Sequence, residues 1–102
     1  MARYTVRVEL HDADTEDYEK LYMKMESRGF MYIIVTKEGT GYFLPDAEYN
    51  YEGPETMEQV LAKAKRAASA VTKDFGILVT KTSGQMFFGL EEIPGKVLMH
   101  NK

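Results

Sequence analysis

Alternation of apolar and polar positions is cleanest at the front of the chain. In residues 2–10 (ARYTVRVEL), Tyr4, Val6, Val8 and Leu10 fall on one side of an extended strand, and Arg3, Thr5, Arg7 and Glu9 on the other. This pattern predicts a central strand with helices against its apolar side and a polar side left for recognition. After a turn at residues 11–13 the period changes. Tyr18, Leu21, Tyr22 and Met25 recur at i, i+3, i+4 and i+7, which predicts a helix. Asp14 or Thr15 can cap it, Glu16 and Asp17 sit in the first turn where the helix dipole favours acids, and Gly29 marks its end.

Residues 30–36 (FMYIIVT) are β-branched and aromatic, hence a second strand, and residues 37–41 turn into a third. Pro45 has no N–H for a ladder, so a bulge or bend is expected there. Beyond it Ala47, Tyr49 and Tyr51 share one face, and Asp46, Glu48 and Asn50 the other. Gly53-Pro54 breaks the chain. Thr56 and Gln59 form a capping box, and Met57, Val60, Leu61, Ala64, Ala68 and Val71 make a second amphipathic helix. Residues 76–82 (GILVTKT) predict a fourth strand, with a short fifth at residues 86–90.

The order β-α-β-β-α-β is the split βαβ of ferredoxin-like folds. The expected architecture is therefore α+β, with two helices on one face of an antiparallel sheet and the other face open. A single domain over residues 1–92 and a loose tail over 93–102 follow from the Pro94-Gly95 break; a differently ordered α+β sandwich is the alternative.

Length and composition narrow this picture. A chain of 102 residues holds one core, and 44% hydrophobic with 28% charged residues is ordinary for a globular domain. With no long apolar run and no leader-like amino terminus, the protein is expected to be cytoplasmic, with no membrane partner. The lack of cysteine removes thiolate, iron–sulfur and disulfide chemistry, and two histidines, His11 and His100, leave little for a transition metal. No glycine-rich phosphate loop, nucleophile elbow or metal-ligand spacing occurs, so neither a cofactor nor a metal is expected.

A net charge of −3 speaks against wholesale nucleic-acid binding, but the charge is unevenly spread. Glu9, Asp12, Asp14, Glu16, Asp17 and Glu19 form an acidic stretch without a base, whereas Lys63, Lys65, Arg66 and Lys73 form a basic one without an acid. His11 and Asp12 stand at the junction of first strand and first helix, where an imidazole beside a carboxylate suits acid–base chemistry on a ribose hydroxyl. They are the candidate catalytic pair, against the blander reading of a solvated turn. Candidate RNA contacts are Arg3, Arg7, Arg28, Lys63 and Arg66. For Arg3 and Arg7 the competing reading is cross-strand pairing with Asp46 and Glu48. The glycine–aromatic motif of RNA-recognition sheets is absent.

The segments ARYTVRVELHDA, EYNY before the second helix and GILVT in the fourth strand together resemble the GhoS family, endoribonuclease antitoxins of type V toxin–antitoxin systems. The resemblance covers residues 2–90. It implies a ferredoxin-like fold similar to the small nuclease subunit of CRISPR adaptation complexes, and cleavage of the messenger encoding a short membrane-damaging toxin. The first helix departs from the family in being acidic on its wet side, with Lys20, Lys24 and Arg28. From the residues themselves a second class remains open: a non-catalytic RNA- or protein-interaction module, including a homodimer through the sheet face or edge, with Phe87 and Phe88 supplying apolar contact.

Overall fold

The computed structural model describes residues 1–96. Strand β1 (Ala2–Leu10) is the hub. It lies between β4 (Glu48–Gly53) and β5 (Phe75–Thr82), antiparallel to both. Its even side chains, Tyr4, Val6, Val8 and Leu10, are buried with Tyr49 and Tyr51 of β4. Helix α1 (Thr15–Glu26) adds Leu21 and Met25 to this core, and α2 (Met57–Ser69) adds Val60, Ala64, Ala67 and Ala68. Both helices therefore cover one face, and the odd residues of β1 lie on the other.

Local sequence explains both helix starts. Asp14 caps α1, accepting from the Asp17 N–H while Asp17 accepts from the Asp14 N–H; Thr56 and Gln59 do the same for α2. The alanines of α2 let its backbone approach β5 and β1. Met57 and Leu61, expected in its apolar stripe, are instead partly exposed, and Ala67 takes their place in the core.

The single sheet expected from the sequence is split. Strands β2 (Ile33–Val35), β3 (Thr40–Phe43) and β6 (Glu92–Lys96) form a second antiparallel sheet in the order β2-β3-β6. The cause lies at Pro45 to Ala47. Pro45 cannot donate, and Ala47 takes a left-handed backbone with φ 65°, so the expected third strand breaks into β3 and β4. One contact still joins the sheets' chain segments, since Met31 and Asn50 exchange backbone hydrogen bonds of 2.9 and 2.8 Å at the outer edge of β4.

Two further expectations are corrected. Residues 86–90 form no strand, and the strand falls later, as β6, so the domain boundary expected at residue 92 lies at its start. Pro94 is accommodated because β6 is an edge strand. The rest of the expected tail, residues 97–102 with His100, lies outside the described residues. Among the described residues no helix is long and apolar enough to cross a membrane.

Candidate functional site

The odd residues of β1 run along the open face as Arg3, Thr5, Arg7 and Glu9, and His11 continues the row past the strand end. Ladder register sets what stands beside each. On the β4 side Arg3 faces Glu52, Thr5 faces Asn50 and Arg7 faces Glu48; on the β5 side Arg7 faces Leu78 and Glu9 faces Gly76. The middle of the face is closed by Gln85, whose amide donates to Thr5 Oγ1 at 2.7 Å and to Asn50 Oδ1 at 2.9 Å.

His11 is held from both sides. Its Nδ1 lies 2.8 Å from Asp74 Oδ1 and its Nε2 3.3 Å from Glu9 Oε1. Both nitrogens can donate at once only in the imidazolium form. Accordingly the bond to Asp74, followed by that to Glu9, holds the His11 pKa above the usual histidine value, outweighing desolvation. Gly76 lies beside this pair: a Cβ at that position would stand 3.9 Å from Glu9 Oε1 and 4.0 Å from His11 Nε2, ordinary van der Waals contact.

The expected catalytic pair is not formed. Asp12 sits in the turn with a left-handed φ of 54°, exposed, and makes no hydrogen bond with His11; the carboxylates on the ring are Glu9 and Asp74. Glu9 was available to sequence reasoning as the same-face residue two positions earlier. Asp74 was not, because it arrives from 63 residues away through the β1–β5 register, where the His11 N–H bonds the Asp74 carbonyl at 3.1 Å.

The five candidate RNA contacts do not form one surface. Arg3 and Arg7 are on the open sheet face, while Lys63 and Arg66 are on α2 and Arg28 follows α1. Arg3 lies 3.9 Å from Glu52, an exposed and hence weak pair; Glu52, not Asp46 or Glu48, is its partner. Lys63 donates to the Tyr51 hydroxyl at 2.7 Å and lies 3.8 Å from Glu55. The Glu55 carboxyl is held below the usual carboxylate range by its own backbone N–H, then by Tyr51, with Lys63 adding to it. Lys63 is thus spent on structure.

Arg7 has no ion pair among the described residues, although Glu48 is directly opposite in register. The two line different clefts. Arg7 lines an open cleft of about 970 Å³ with Glu9, Asp14, Tyr18, Glu19 and Asp46, whereas Glu48 lines a second with Thr5 and Gln85. The expected Arg7–Glu48 or Arg7–Asp46 pairing is therefore not made, and Arg7 is a free cation two residues from Glu9. No protein-family model matches the chain, and neither does any curated protein.

Proposed function

We propose that the chain is an RNA-cleaving antitoxin of the GhoS kind, acting through the row Arg7, Glu9, His11 and Asp74 on the open sheet face. Its core is read as ferredoxin-like: β5-β1-β4 supplies three strands of the four-stranded order, and the Met31–Asn50 bridge stands where the fourth would lie. The observation that carries the proposal is the imidazole of His11 between two carboxylates, on the same sheet face as an arginine without an ion pair among the described residues.

RNA contains its own nucleophile, so a site needs only a base, an acid and a cation at the phosphate. Glu9 takes the proton from the ribose 2′-hydroxyl. That oxygen attacks phosphorus, the bond to the 5′-oxygen breaks, and His11 imidazolium gives its proton to the departing oxygen, leaving a 2′,3′-cyclic phosphate. Arg7 neutralises the phosphate, and Asp74 orients the ring and keeps it protonated. Incubating the purified protein with end-labelled toxin messenger tests this: cyclic-phosphate products that disappear in His11→Gln support it, and an intact transcript at high protein concentration overturns it. Arg7→Ala is expected to lower the salt dependence of RNA binding by about one unit of slope.

A second reading, a non-catalytic protein-interaction module, is favoured by the exposure of Leu78, Met86 and Phe88 on and beside the open face. RNA binding absent altogether, with a captured protein partner released by Phe88→Ser, would select it.

A further inference from the structure

Among the described residues the outer edge of β5 is the longest free edge. β5 has 8 residues, against 3 for β2 and 5 for β6, and β4 is met on its outer side by Met31. Which of its backbone groups are free follows from register. His11 and Asp74 are a hydrogen-bonded pair, and such pairs alternate along an antiparallel ladder, so Gly76, Leu78, Thr80 and Thr82 direct their N–H and C=O groups at β1. Phe75, Ile77, Val79 and Lys81 direct theirs outward. Among the described residues none of these outward groups has a partner.

The strand carries few of the devices that keep an edge from pairing. It has no proline, its register with β1 runs without a bulge, and its one charge is Lys81 near the end. Ile77 and Val79, which point to the helix side, are only half-buried because no described strand lies beyond the edge, and Leu78 on the open side is 64% exposed.

We propose that this edge pairs with β5 of a second copy of the chain, antiparallel about a two-fold axis through Leu78. The register is chosen by the strand itself. With the axis at Leu78, Phe75 pairs with Lys81 of the second copy and Ile77 with Val79, so every outward N–H and C=O is used. A shift of two residues leaves some unpaired. The same register places Leu78 against its own copy in a non-hydrogen-bonded pair, where side chains approach most closely. Thr80 meets Gly76 and Thr82 meets Asp74, and no like charges stand opposite one another. A two-fold interface is self-complementary by construction, so the strand that fits this edge best is itself. The result is a continuous six-stranded sheet, β4-β1-β5 followed by β5-β1-β4 of the second copy, with both His11 rows on one open face and Thr80 of each copy beside Gly76 of the other.

Sedimentation velocity across a concentration series is expected to show a dimer. Leu78→Asp, which sets two carboxylates face to face on the axis, is expected to give a monomer with an unchanged circular dichroism spectrum. A register test does not depend on that variant folding. The chain has no cysteine, so a single introduced thiol reports cleanly. Leu78→Cys places two Cα atoms about 4.5 Å apart, within disulfide range, and is expected to crosslink under mild oxidation, whereas Thr80→Cys is not. A wild-type monomer at high concentration overturns the proposal. So does a dimer in which Phe88→Cys crosslinks and Leu78→Cys does not, because that would be a face-to-face contact.

Discussion

Two cations in this molecule each have two partners, and they differ in what those partners leave free. Lys63 lies between the Tyr51 hydroxyl and Glu55 with its side chain 29% exposed, on the helix-covered side of the sheet. His11 lies between Asp74 and Glu9 with 42% exposed, on the open side. The first is a permanent charge fixed by packing, and it tethers α2 to β4. The second is titratable and reached from solvent. Similar pairing thus leaves a fixed charge on one face and a reachable, titratable one on the other, and exposure tells them apart better than partner number.

The largest expected effect separates the two sites by activity. His11→Gln should reduce RNA cleavage by about 10²-fold or more, the span of lost acid–base catalysis, with little change in a urea melt. Lys63→Met should do the reverse. It keeps the aliphatic stem but removes the bond to Tyr51, for a loss of about 1 kcal/mol in the same melt, with cleavage unchanged. If both variants lost activity equally, the division between the faces would be broken.

Tyr49 sharpens the comparison from the buried side. Its ring is wholly buried and its hydroxyl has no partner among the described residues; burial first, then Tyr22, Tyr18 and Tyr32, pushes its pKa far above the usual tyrosine value. Tyr49→Phe should therefore cost nothing and can stabilise by up to about 1 kcal/mol, as read from the denaturation midpoint.

The smallest effect is a difference in pH dependence. His11 has a raised folded pKa, so its contribution is complete below about pH 6.5, the unfolded value, and is lost as pH rises through the folded value. Glu55 has a lowered one. Its contribution is present above the unfolded carboxylate value and lost as pH falls through the folded value. Stability curves of the His11→Gln and Glu55→Gln variants should accordingly depart from wild type at opposite ends of the pH range.

The elements legible in the sequence were those set by local rules. The alternation of β1, a cap at Asp14 or Thr15 and the capping box at Thr56 needed only neighbouring residues, and the structure agrees, with Asp14 as the cap. The split into two sheets was not legible, because the bend that causes it requires a left-handed alanine, which composition does not announce. Strand β6 was hidden by Pro94 and Gly95, which read as breakers and are tolerated at an edge. His11 could be singled out from its place at a strand end, but its stronger partner, Asp74, depended on a register no local pattern contains.

The central position of β1 also fixes when the protein can fold. It is made before the other described strands, yet Arg3 pairs with Glu52 and Thr82, and the Thr5–Gln85 bond spans 80 residues. Contacts so distant in sequence make folding slow. The apolar side of β1 must wait, solvent-exposed, until α2, which completes its cover, has been made, and its ladder to β5 closes later still.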